Sequence, residues 1–123
     1  MSEKYIIQKN PVKIPVPGNK IINEYFGFAS LNGGDFSFAH MIAPPGWEEP
    51  AQKPEFDEIT FIIKGKKRFE FDDEIVELKQ GESILVKRGT RVRYSNPFEE
   101  ACEYISVCIP AFSPDSVNRE NNI

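Results

Sequence analysis

Apolar and polar residues along this chain alternate with a period near two, and Gly, Pro, Asn or Asp breaks the alternation every few residues. That is the pattern of short strands in an antiparallel sandwich or barrel; stretches with the 3.6-residue helical period are nearly absent. Read forward, it predicts strands at Ile6–Ile7, Lys13–Pro15, Lys20–Ala29, Asp35–Ala43, Glu58–Lys64, Lys67–Phe71, Glu74–Leu78, Ser83–Lys87, Arg91–Ser95 and Glu103–Ile109. The runs KRFEF and EIVEL flank Asp72–Asp73, whose short side chains tolerate the positive φ of a two-residue hairpin. Asn32-Gly33-Gly34-Asp35 marks a second turn. In the tail 111–123, Ser113 as N-cap and Pro114 at a first helical position predict a single turn of helix, with frayed last residues.

Side-chain parity assigns faces to some of these strands. On Arg91–Ser95, Val92 and Tyr94 share an apolar face, so they should point inward and Arg91, Arg93 and Ser95 outward. On Glu58–Lys64, burial alone favours Ile59, Phe61 and Ile63 as the core face, which places Glu58 outside. The last strand offers Cys102, Tyr104, Ser106 and Cys108 on one face and Glu103, Ile105, Val107 and Ile109 on the other, and parity leaves open which lines the interior.

Composition changes the picture in three ways. A chain of 123 residues with 40% hydrophobic content and ten Phe fits one domain with a real core, and its 10 Pro and 8 Gly fit a turn-rich, all-β fold. A net charge of -4 without a basic stripe argues against nucleic acid as partner; the cluster Lys64, Lys66, Lys67 and Arg68 reads as a solvated hairpin turn. The N-terminal residues show no signal-peptide pattern and apolar runs stop at three residues, so neither membrane nor export is expected. Cys102 and Cys108 lie ~20 Å apart along one strand, beyond the ~7 Å reach of a disulfide. Two thiols that do not pair with each other suit a cytoplasmic location.

Two spaced motifs carry the chemistry. In PPGWEEPAQKPEFDEITFIIKG (44–65), Gly46 is followed after five residues by Gln52, then Lys53, Pro54, three residues, Glu58, six residues and Gly65. Over 81–96, Gly81 is followed by five residues, Lys87, Arg88, Gly89, two residues, Val92, three residues and Asn96. In their order and spacing these stretches resemble the two motifs of the cupin superfamily, small jelly-roll β-barrels of antiparallel strands. The resemblance implies a single cupin-like domain with Glu58 inside the barrel, against the burial reading above. Both readings hold if the strand is covered on both faces, which a homodimer paired through that sheet would supply.

The resemblance also shows what has changed. The family's three metal-binding histidine positions are Gln52, Pro54 and Val92 here, and the proline of the second motif is Lys87. Pro and Val offer no side-chain lone pair, so the usual site cannot assemble and no cofactor is expected. The alternative is a divalent metal ion on the sole histidine, His40, together with Gln52 and Glu58; against it, a lone histidine is more often half-buried and hydrogen-bonded to a carbonyl. A small polar ligand held in the barrel by Gln52, Tyr94, His40 and Tyr104 around Glu58 is the expected function, and calls for a space of ~300 Å³. The alternative is an isomerase- or cyclase-type enzyme with Glu58 as acid and base. A third reading is a dimer scaffold. A buried Glu58 must in any case find donors in Gln52, a tyrosine or the backbone, or exchange protons.

Overall fold

The computed structural model describes residues 4–30 and 33–120. Nine strands follow in order: β1 (Val12–Lys13), β2 (Ile21–Phe26), β3 (Ser37–Ala43), β4 (Asp57–Lys64), β5 (Lys66–Glu70), β6 (Ile75–Lys79), β7 (Ser83–Val86), β8 (Arg93–Ser95) and β9 (Cys102–Ile109). They form a six-stranded sheet in the order β1-β2-β3-β9-β4-β7 and a three-stranded sheet in the order β6-β5-β8. Every pairing is antiparallel. The result is an all-β jelly roll. The sheets face one another and are not joined into a closed hydrogen-bonded barrel; isolated bridges such as Glu48 with Ser95 and Gln52 with Val92 link the segment 48–52 to β8 and its approach.

The core between the sheets gathers Ala43, Trp47, Ile62, Phe69, Val86, Val92, Tyr94, Cys102 and Tyr104. A smaller cluster of Phe56, Cys108 and Val117, flanked by Phe112, seats the C-terminal tail. Val92 and Tyr94 point inward as parity predicts. On β4 the resemblance prevails over the burial argument: Glu58, Thr60 and Ile62 are buried, whereas Ile59 and Phe61 are 39% and 45% exposed. On β9 the inner set is Cys102, Tyr104, Ser106 and Cys108.

Local features explain where strands end. Glu24, buried on β2, turns its carboxylate back onto the amides of Ala29 and Ser30, each at 2.9 Å. The chain folds over that carboxylate at Gly27, where a Cβ would lie 2.8 Å from Glu24, so β2 stops at Phe26 rather than running to Ala29. At Gly65 (φ +83°) the β4–β5 turn passes so close to the Ala101 carbonyl that a Cβ would sit 2.4 Å from it. Asn96 pins the other end: its amide donates to the carbonyls of Ala43 (3.1 Å), Pro44 (3.2 Å) and Glu100 (2.8 Å), and its oxygen accepts from the Phe98 amide (3.1 Å).

Some expectations change. Ile6–Ile7 forms no strand and lies exposed, because it has no hydrogen-bonded neighbour strand. The β5–β6 hairpin closes through Phe71 N–H to the Glu74 carbonyl (2.8 Å), but positive φ among described non-glycine residues occurs at Asn19 and Asn118, not at Asp72 or Asp73. The tail after Ser113 makes a hydrogen-bonded turn to Ser116 instead of a helix. Asn32 and residues 121–123 lie outside the described residues, and with them part of the second turn and the frayed end.

Candidate functional site

Between the sheets lies a cavity of about 220 Å³, below the ~300 Å³ expected. The large sheet supplies apolar wall from Ala39 and Met41 and polar wall from Glu58, Tyr104 and Ser106. The small sheet supplies Lys67 and Tyr94, and the segment before β4 supplies Glu49 and Gln52. The lining is completed by Ile14, Val16 and Lys20 from the segment before β2 and by Phe112, Pro114 and Arg119 of the tail. The tail is held there by Glu120 N–H to the Ala51 carbonyl (2.8 Å), by an ion pair of Arg119 with Glu49 (3.6 Å) and by Arg91 with Glu120 (2.5 Å).

Glu58, Gln52, Tyr94 and Tyr104 thus share one cavity. Glu58 finds the donors its burial requires: Tyr94 OH donates to Oε1 at 3.1 Å and Ser106 Oγ donates to Oε2. Gln52 pairs its backbone with Val92 in both directions at 2.9 Å, so its side chain is directed from a fixed segment, and its Oε1 is buried without a hydrogen-bond partner. Tyr104 OH is likewise buried and unpaired. Burial and the nearby negative charges of Glu58 and Glu49 push both phenols well above their ordinary range.

His40 is the correction. On β3 the inward residues are Ser37, Ala39 and Met41, so His40 alternates to the outer face. There its Nε2 lies 2.6 Å from Glu103 Oε2, outside the cavity lining, and it does not converge with Gln52 and Glu58. The alternative metal set His40, Gln52 and Glu58 is therefore not assembled. Pro54 and Val92 lack lone pairs at the family's other ligand positions, and no cluster of three or more His, Cys, Asp or Glu among the described residues is arranged to hold a metal ion. The residues present do not fit the family's metal.

Lys67 is the residue that sequence reading missed. Lys64 and Lys66 are exposed, as a solvated turn requires, but Lys67 is only 1% exposed and faces inward with Phe69. The signal was present: in KRFEF, Lys67 alternates in phase with Phe69 and Phe71. Its Nζ lies 3.8 Å from the Tyr104 ring centre, 4.4 Å from that of Tyr94 and 5.1 Å from that of Phe69. Burial pushes its ammonium pKa down, opposed in part by the charges of Glu58 and Glu49. Lys20, whose Nζ lies 4.0 Å from the Trp47 ring centre, is lowered by burial to about 8. Cys102 and Cys108 are buried and unpaired; burial raises both thiols, Cys102 to about 11, which keeps them protonated and inert.

A two-sheet jelly roll with a cavity that holds the motif positions Gln52 and Glu58 defines the class, and the comparisons agree. The family model described as "Cupin domain" matches residues 39–108, and the chain belongs to that family. Among curated proteins it is similar to one named Endoribonuclease YbeY from Myxococcus xanthus (strain DK1622), 43% identical over 107 residues. That match takes in 87% of this chain and 36% of the relative, so the chain spans about a third of that protein's length. Among solved structures it is similar to the polyketide cyclase RemF from Streptomyces resistomycificus (TM-score 0.74, 16% identity, 98% of this chain and 88% of that one). It is also similar to an RmlC-like cupin from Shewanella frigidimarina NCIMB 400 (TM-score 0.70, 15% identity, 93% and 96%). A double-stranded beta-helix protein from Klebsiella pneumoniae subsp. pneumoniae MGH 78578 matches with TM-score 0.68 at 20% identity over 88% and 90%. At these identities the likeness speaks for the fold alone.

Proposed function

We propose that this cupin binds a small polar molecule in its cavity, using Gln52, Tyr104 and Lys67 in place of the family's histidine-held metal. One observation carries the reading: Gln52 Oε1 and Tyr104 OH are buried, unpaired and on the cavity wall beside an amine. Each such orphan costs about 1–3 kcal/mol, and a ligand that offers a donor and an acceptor recovers it. The two amines, Lys67 and Lys20, favour a ligand with an anionic group, and Gln52 Oε1 a hydroxyl or N–H on the same molecule. Calorimetry and thermal shift with lactate, against the uncharged 1,2-propanediol, test this. Lactate should bind and raise the melting temperature, Gln52→Leu should weaken it, and Tyr104→Phe should weaken binding without destabilising the free protein. Equal indifference to both compounds in a panel widened to other short hydroxy and keto acids would contradict the reading.

An acid–base enzyme is the second reading, favoured by the position of Glu58 on the cavity wall between two hydroxyls. Isomerisation or cyclisation of the bound compound is the chemistry it suits. A Glu58→Gln variant that binds but no longer turns over its compound would support it.

A homodimer belongs to the same proposal. Ile59, Phe61, Leu85 and Ile109 stand exposed on the outer face of the large sheet, and a second copy packed there would cover them. No helix among the described residues is long and apolar enough to cross a membrane, and buried unpaired thiols suit the cytoplasm as location.

A further inference from the structure

Structural buried charges are normally paired. Lys67 departs from this: among the described residues its Nζ makes no hydrogen bond and no ion pair, and the rings of Tyr104, Tyr94 and Phe69 lie about it. It nevertheless opens on the cavity, where Glu58 and Tyr94 are linked by a hydrogen bond and which Lys20 also lines. The rings stabilise a cation, but they also exclude the water that would keep an amine hydrated and protonated. An amine desolvated in this way is a nucleophile.

We propose that Lys67 is a covalent site, at which its amine condenses reversibly with the carbonyl of a small 2-oxo acid or related anionic aldehyde. This rests on the small-molecule reading above and names the substrate class. The neutral amine's lone pair forms the N–C bond while the carbonyl π pair moves to oxygen, which takes up a proton to give the carbinolamine. Nitrogen gives up one proton; the C–O bond then breaks, oxygen leaves as water after taking a second proton, and the protonated imine remains. Glu58 and Tyr94, which line the cavity from opposite sheets and are joined by a hydrogen bond, are placed to accept and return those protons. Lys20, with a pKa of about 8, stays mostly protonated at neutral pH and supplies the counter-charge for the carboxylate.

Reductive trapping tests the proposal. The full chain is incubated at neutral pH with pyruvate and sodium cyanoborohydride, with lactate as the control without a carbonyl, and the product is mapped by peptide mass spectrometry. A single pyruvate adduct on Lys67, formed at least about tenfold faster than on Lys64 or Lys66, supports it. No adduct, or adducts spread over the exposed lysines, overturns it. If lactate and pyruvate both stabilise the protein yet Lys67 is not labelled, the covalent step fails while the binding reading stands. If neither stabilises nor labels it, both readings lose. Lys67→Met nearly keeps the side-chain length and should abolish labelling while the variant still unfolds cooperatively; should that variant not fold, the wild-type map decides alone.

Discussion

Replacing Lys20 by Met should remove a pH-dependent penalty on folding, and the size of the change follows from the site. Burial lowers the Lys20 pKa from 10.5 to about 8 in the folded protein. Between those values the unfolded chain binds more protons than the folded one, so wild-type stability rises with pH. Below pH 8 both states are protonated and the penalty is fully present, at most about 3 kcal/mol at 1.36 kcal/mol per unit. From pH 7 to pH 9 the linkage relation returns about 1.3 kcal/mol to the wild type and nothing to Lys20→Met. The raised thiols of Cys102 and Cys108 act in the opposite direction above pH 9, since they stay protonated in the folded state; because the Lys20 charge also acts on Cys102, the comparison is made at pH 9 and below. Urea unfolding followed by the fluorescence of Trp47, the chain's one tryptophan, reads the difference at each pH. The two stability curves should converge by about 1.3 kcal/mol over that window; parallel curves would refute the assignment of Lys20 as a desolvated amine.

Three further substitutions probe other parts of the account. Glu58→Ala strands the Tyr94 and Ser106 hydroxyls and should cost about 2–4 kcal/mol in urea unfolding, with Glu58→Gln costing less because it keeps an acceptor. Gly65→Ala must accommodate both a φ of +83° and a Cβ 2.4 Å from the Ala101 carbonyl, and should lower stability by more than the ~1–2 kcal/mol of left-handed backbone alone. Phe61→Glu places a charge on the outer face of β4 and should halve the mass seen by light scattering without changing the melting behaviour of the monomer; a wild type that is already monomeric contradicts the dimer.

Much of this fold is legible in the sequence because turns and motif glycines punctuate it, and the two-residue period of the strands does the rest. Faces were harder to read where size and direction disagree. On β3 the inner residues Ser37 and Ala39 are small and the outer Phe38 and Ile42 large, so hydrophobicity points the wrong way and His40 was drawn inside. On β4 the apolar Ile59 and Phe61 face out and the acid Glu58 faces in, a choice that only the motif spacing recovered. Lys67 was hidden by its neighbours: a run of cations reads as solvated, although alternation with Phe69 placed one of them inside. Both errors concern the cavity, where side chains are selected for what they hold rather than for burial.

A high-resolution crystal structure of the protein as purified, read for density inside the cavity, tests the central claim most directly. The account predicts a bound non-protein molecule within hydrogen-bond distance of Gln52 Oε1 and Tyr104 OH, with an anionic group toward Lys20 or Lys67. A cavity filled by rearranged side chains, or a metal ion coordinated at Glu58, would contradict it.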